Sequence, residues 1–312
     1  MDDFMQNDEA GQELVRQQSW PVDGPAELEL AVDVGRITVR LEEPTEGASE
    51  VRVEVRHDPS AGNTWSQGLT GLINWIGGAT GALPSSSADI AAEAVRAAEI
   101  SWSEGGRRLV VRSSQELPLR VVPLAITVTA PDRSRLAART GAGDVRVTGR
   151  AGWAGVRTGS GRASIATVDG DADVTTGSGD IELGPVTGRA RLRTGSGSVS
   201  VAATSGATEV RTGSGDVSLG EVAGDLRLRT GSGDVEISDA RSGSLEITTG
   251  SGGLRIGVHP GVAAELDLGT GSGRARSELE VTGVAPEQPA AVHVKGRTGS
   301  GDVLVARATV PA

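Results

Sequence analysis

The residues Thr-Gly-Ser-Gly recur eight times, beginning at Thr158, Thr176, Thr194, Thr212, Thr230, Thr249, Thr270 and Thr298, and a ninth copy, Thr140-Gly141-Ala142-Gly143, precedes them. Successive copies are 18 residues apart as far as Thr230; the later steps are 19, 21 and 28. A fixed period of this length is the mark of a repeat architecture, in which each unit buries its apolar side only by stacking on its neighbours.

The unit itself is β. Between Gly215 and Gly233, Val217 and Leu219 alternate with Asp216 and Ser218, and Leu226 and Leu228 alternate with Asp225 and Arg227. Alternation with period 2 is the pattern of a strand buried on one side. Stepping by 18 keeps like with like. Val145, Ala163, Ile181, Val199, Val217 and Val235 form one column, and Ala154, Ala172, Ala190, Thr208 and Leu226 another. An antiparallel meander has no need to hold such a spacing or to keep small and large residues in separate columns. The expectation is therefore an all-β parallel β-solenoid with about 18 residues and two short strands per coil. The turn residues are Gly141, Gly143, Gly159, Gly161, Gly177, Gly179, Gly195, Gly197, Gly213, Gly215, Gly231, Gly233, Gly250, Gly252, Gly271, Gly273, Gly299 and Gly301. Stacked Thr and Ser are expected to pass hydroxyl hydrogen bonds along the ladder.

Four regions follow. Residues 1–19 read as a polar N-terminal tail with a short helix near Glu13 to Gln17. Residues 20–57 and 107–139 read as degenerate N-terminal coils, with strands at Arg107–Arg112 and Leu119–Thr129. Pro118 and Pro123 mark the second of these as an edge or a bend. Residues 58–106 form a Gly-rich, apolar and helical insertion that caps the array, with a helix at about 87–100 after the capping-box-like Ser86 and Asp89. Residues 140–312 are the regular Thr-Gly-Ser-Gly solenoid.

Composition limits the function classes. A net charge of −11 opposes nucleic acid, whose phosphates need a basic surface. With no Cys, disulfides and thiolate metal sites are excluded. No apolar run is long enough to span a bilayer. The acidic start Met1-Asp2-Asp3-Phe4 lacks the basic and apolar regions of a secretory signal, which favours the cytoplasm. The apolar stretch 69–83 packs on the solenoid or, alternatively, touches a membrane peripherally.

No catalytic constellation emerges, and no cofactor is expected. The Asp that follows the turn at Asp144, Asp180, Asp216, Asp234 and Asp302 resembles part of a calcium-binding roll. Its equivalents are Arg162, Ser198, Gly253 and Arg274, so several oxygen ligands per site are not assembled. His57, His259 and His293 have no metal-ligand spacing. An Arg precedes the Thr at Arg139, Arg157, Arg193, Arg211, Arg229 and Arg297. Across the corner from the Asp column, these read as surface ion pairs worth ~0–1 kcal/mol each, or as a stripe for an extended polymer. Trp153 falls on an outward position, a hint of binding.

Repeated Thr-Gly-Ser-Gly-Asp-Val, the degenerate Val34-Gly35-Arg36-Ile37-Thr38-Val39 and a Pro131-led strand together resemble the bacterial β-strand-repeat "putative adhesin" family, a domain of unknown function. The resemblance covers about residues 25–57 and 107–310 and departs at the insertion. It implies a right-handed, single-stranded β-helix-like fold and carries over no functional residues. The expected function is non-enzymatic: a binding or scaffold solenoid of adhesin-like type, offering long flat faces to a protein or polysaccharide. The alternatives are a self-associating cytoplasmic polymer like bactofilin and, less favoured, a polysaccharide-acting β-helix enzyme.

Overall fold

The computed structural model describes residues 15–43, 49–58, 87–280 and 290–309. The apolar stretch 69–83 and most of the polar start fall outside the described residues. Among the described residues the protein is all-β apart from two short helical segments, and most of its strands run parallel in two facing ladders joined at corners. Among the described residues no helix is long and apolar enough to cross a membrane.

Inward side chains fill a thin core between the ladders. In the first ladder Val199 lies between Ile181 and Val217, and Val201 between Leu183 and Leu219. In the second, Val210 lies between Leu192 and Leu228. All of these are buried. Parallel strands stack ~4.8 Å apart, so each side chain packs on its equivalent in the neighbouring coils.

The recurring tetrapeptide builds the corner that joins the ladders. Its Thr points inward and is buried in eight of the nine copies, at Thr140, Thr158, Thr176, Thr194, Thr212, Thr230, Thr249 and Thr298. The hydroxyls bond from coil to coil, but to backbone carbonyls. Thr194 Oγ1 donates to the carbonyl of Gly179 at 3.1 Å, and Thr298 Oγ1 to that of Gly252 at 3.0 Å. Thr158, Thr176 and Thr212 likewise bond a corner carbonyl of the adjacent coil, whereas Thr230 bonds Ser232 O of its own turn and Thr140 Oγ1 has no partner among the described residues. A Cβ at Gly231 would come within 2.5 Å of the Gly213 carbonyl oxygen. Gly233 adds a φ of +134°, a conformation that L side chains rarely adopt.

The Asp after the turn is also structural. Asp216 Oδ1 accepts the backbone N–H of Asp234 at 2.9 Å, Asp234 that of Gly253 at 2.8 Å, and Asp144 that of Arg162 at 2.8 Å. At the opposite corner, Asp171 and Asp225 do the same for Arg189 and Ser244. The ladder breaks at a corner, and the carboxylate supplies the acceptor that the amide of the next coil would otherwise lack. The expected ion pairs between the Arg139-type and Asp144-type columns do not form among the described residues.

Stacking order departs from chain order at both ends. Strand β1 (Val15–Val22) pairs antiparallel with β3 (Ser49–His57). Residues 15–19 are therefore strand rather than tail or helix. Between them in sequence lies β2 (Glu27–Glu42), which bends at Gly35 and belongs to both ladders. Helix α1 (Ser87–Ala97) stops earlier than expected, and β4 (Glu99–Ser103) follows, pairing antiparallel with β5 (Arg108–Arg112). Leu119–Val121 is a 3-10 turn rather than strand, and β6 begins only after Pro123 (Leu124–Pro131). It is an interior strand, with β3 on one side and β2 on the other, so the prolines bend the chain before β6 and do not mark an edge. The coil 27–42 is thus inserted between 108–131 and 135–151.

The C-terminal end repeats this arrangement. Leu245 stacks on Val294, and Val294 on Leu266. The coil 292–307 therefore sits between 243–258 and 264–277, and the last-numbered coil is not the last in the stack.

Candidate binding face

Once Thr, Gly and Asp are assigned to the corners, the chemistry left over lies on the outer surface of the second ladder. Outward positions alternate with the buried Ala154/Val156-type residues. One outward column, immediately before the buried Thr, carries Arg139, Arg157, Arg193, Arg211, Arg229 and Arg297, all exposed but for the half-buried Arg297. Arg139 lies directly beside Arg157, and Arg211 between Arg193 and Arg229. Like charges ~4.8 Å apart repel unless they are matched.

They are matched unevenly. Glu209 serves three guanidiniums, Arg211 at 2.6 Å, Arg191 at 3.4 Å and Arg193 at 3.9 Å. Arg297 grips Asp267 at 2.7 Å and holds its carboxyl below the ordinary value. At the other end, Arg112 at 2.6 Å, together with Arg108, lowers the carboxyl of Glu29. Arg135, Arg139, Arg157, Arg189 and Arg229 make no ion pair with any described residue. The chain is strongly acidic, yet this face holds guanidiniums in excess. A groove of about 490 Å³ opens in it at Ala207, lined by Arg189 and by Arg191, Glu209, Arg227 and Glu246, which alternate in charge along one outward column.

Trp153 lies on the same face, half-buried. Its indole lies over Gly155, where any Cβ would collide with the six-membered ring, and the Arg135 guanidinium is 5.6 Å from the ring centroid. A shallow depression of about 240 Å³ beside it is lined by Arg108, Arg135, Ala137, Glu27 and Glu29. The sequence marks Trp153 and the Arg column but not Arg135 or Arg189, which precede inward positions outside the Thr motif. The signal for them was the excess of Arg over acid at outward positions of these strands.

The three histidines stay apart. His259 Nδ1 meets Asp239 at 2.9 Å, His293 Nδ1 meets Glu265 at 3.1 Å, and His57 belongs to β3. Among the described residues no group of three or more His, Asp or Glu side chains is placed to hold a metal.

The family profile described as Toastrack DUF4097 matches residues 124–306, more than half of the chain. No curated protein matches it. Among solved structures, the chain is similar to a "putative adhesin" from Bacteroides fragilis at 11% identity, with 94% of this chain and 97% of that one covered and a TM-score of 0.38. A second of the same description, from Parabacteroides merdae, gives 10% identity, 96% coverage of both chains and a TM-score of 0.32. A "putative cell adhesion protein" from Clostridium sporogenes gives 9%, 94% and 100% coverage, and 0.22.

Proposed function

The chain belongs to the Toastrack DUF4097 family, and from that premise we propose that it is a non-enzymatic binding solenoid that holds an extended anionic partner along the arginine-bearing face of its second ladder. The observation that carries this reading is the set of guanidiniums without carboxylate partners on one face of a chain whose net charge is −11. Each is planar and presents several donors, which suits bidentate recognition of carboxylate or phosphate. The regular pitch of the coils repeats that recognition along the axis.

In the same reading, 140–312 is the working solenoid. It winds right-handed with about 18 residues per coil, and the paired glycines from Gly141 to Gly301 form its corners. The segment 58–106 caps its N-terminal end, and the repeated motif has no catalytic duty.

The test is binding to immobilised polyglutamate, polyuronate and polyphosphate as salt is raised. Reversing Arg193, Arg211 and Arg229 to Glu should abolish retention. Adding negative charge to the other ladder, through Ser200→Glu and Ser218→Glu, should change it little. Retention that ignores the arginine reversals would refute the assignment of the face.

A further inference from the structure

We propose that the N-terminal part of this face is a subsite for an acidic sugar, with Trp153 as its stacking platform and Arg135, Arg139 and Arg157 as its carboxylate clamp. The proposal rests on the binding face argued above and names the class of polymer: a uronate-bearing polysaccharide lying along the solenoid axis.

The floor of the subsite is made of small residues. Ala137 and Gly155 are neighbours in adjacent coils, and the indole of Trp153 lies across the second of them. A larger side chain at Gly155 would displace the ring, so this glycine provides a shelf and not a turn. On one side of the floor stand Arg139 and Arg157, side by side one coil apart. On the other stands Arg135, directly beside Trp153 in the ladder; its guanidinium lies over the indole, 5.6 Å from the ring centroid, and swings aside to a sugar carboxylate when the pyranose takes its place on the ring. None of these three guanidiniums has a carboxylate partner among the described residues.

Aromatic residues are scarce in this chain, with five Trp, one Phe and no Tyr. Trp20 and Trp102 are spent on each other at the N-terminal end, with ring centroids 5.6 Å apart. An indole laid flat on the outside of a ladder therefore stands out. A flat apolar ring edged by polar groups is the complement of a pyranose, which offers an apolar C–H face and a rim of hydroxyls.

The charge pattern chooses among polymers. The Arg column is interrupted by Thr175 and Thr248, and carboxylates such as Asp173 and Glu209 stand between the arginines. Nucleic acid carries a dense phosphate charge and calls for a continuous basic surface. A polyuronate carries one carboxylate per sugar, and an extended pyranose chain advances per sugar by a length similar to the coil pitch of ~4.8 Å. Guanidiniums one coil apart can then meet successive carboxylates.

The experiment uses the full chain, with polygalacturonate as probe and dextran, polyglutamate and single-stranded DNA as comparisons, followed by Trp fluorescence and affinity electrophoresis. Polygalacturonate should bind best, dextran should not bind, and added salt should weaken the complex. Trp153→Ala and the double variant Arg139→Gln/Arg157→Gln should each weaken polygalacturonate binding roughly tenfold or more. Trp153→Phe should restore most of it, and thermal melts of all variants should match the parent. Unchanged affinity in Trp153→Ala, or equal affinity for polyglutamate or DNA, would overturn the sugar subsite. If those polymers still depend on Arg193, Arg211 and Arg229, the broader binding face survives; if no anionic polymer is retained by any route, both readings fall.

Discussion

The two ends of this solenoid finish the same stack in opposite ways. At the N-terminal end the strands turn antiparallel: β1 on β3 in one ladder, β4 on β5 in the other. Trp20 and Trp102, on the outermost strand of each ladder, stack across the gap between the ladders. Helix α1 buries Ile90, Ala91, Ala94 and Val95 in the same core. Arg16 of β1 then donates to the carbonyls of Arg96 and Ala98 at 2.7 and 2.6 Å, tying the strand to the helix C-terminus. A guanidinium there satisfies carbonyls that the helix leaves open and complements its dipole.

Among the described residues, the C-terminal end is thinned rather than covered. The outermost coil, 264–277, has no described strand on its far side. Leu266 and Leu268 are half-buried, and the inward positions of the first ladder dwindle to Ala275 and Ser277, both exposed. A repeat array can stop because its last face is covered or because its last unit has little apolar surface left to cover. This protein uses one solution at each end.

A break in the middle should therefore leave unequal halves. Val217 is 1% exposed, and Val217→Asp puts a carboxylate without a partner into the thin core. The expected loss is about 3–5 kcal/mol, against about 0.5 kcal/mol or less for the outward Ser218→Asp. Hydrogen exchange of the Val217→Asp variant should keep protection in the covered N-terminal half and lose it first toward residue 300. Symmetric loss would show that the N-terminal cover adds nothing.

Removing the stacked pair should cost less than the central break but more than any change at the other end. Trp102→Ala should destabilise by about 2–3 kcal/mol in denaturant melts, since a large, mostly covered side chain is deleted. Leu268→Ala, at the thin end, should cost about 1 kcal/mol. A reversal of that order would mean that the C-terminal coil is the better anchored.

The smallest effect is electrostatic and should be alike at both ends. Glu29 near the N-terminal end and Asp267 in the outermost C-terminal coil are held below their ordinary values of 4.5 and 3.8. Hydrogen bonds from Arg112, then Arg108, act on the first, and one from Arg297 on the second. A folded-state value below the unfolded one adds stability that is complete above the unfolded value and is lost as pH falls through the folded one. The window therefore lies below pH 4.5 for Glu29 and below 3.8 for Asp267. NMR titration of the carboxyls should show both midpoints depressed. Arg112→Gln should return the first toward its ordinary value and Arg297→Gln the second, with little change in melting temperature at neutral pH.

Much of this was legible in the chain because it is local. Val217, Leu219, Leu226 and Leu228 declare their inward faces by alternation, and the glycines declare their corners by recurrence. The Arg column could be read in the same way. The partner of Asp216 could not. From spacing alone an Arg across the corner is the obvious choice, but the broken ladder leaves an amide nearer and better aimed. The shelf under Trp153 was also hidden. Gly155 reads as one more small residue until register sets Ala137 beside it.

The sequence by itself pointed to stacked parallel strands, because an 18-residue period with apolar residues at fixed positions is kept for a solenoid and is not needed by a meander. It also determined that one face would be rich in arginine. Only the tertiary structure decided the order of the coils. A strand such as β2 can pair with any exposed parallel edge of matching pattern, so its slot between 108–131 and 135–151 depends on contacts far apart in the chain. The same holds for 292–307, which lies inside 264–277. Steps of 21 and 28 residues are long enough to pass over a neighbouring coil, but nothing local states that they do. Stacking energy is nearly indifferent to which of two similar coils comes first. The choice falls to the ends, where β1, β4 and α1 cover one face and, among the described residues, the apolar-poor coil 264–277 closes the stack on the other.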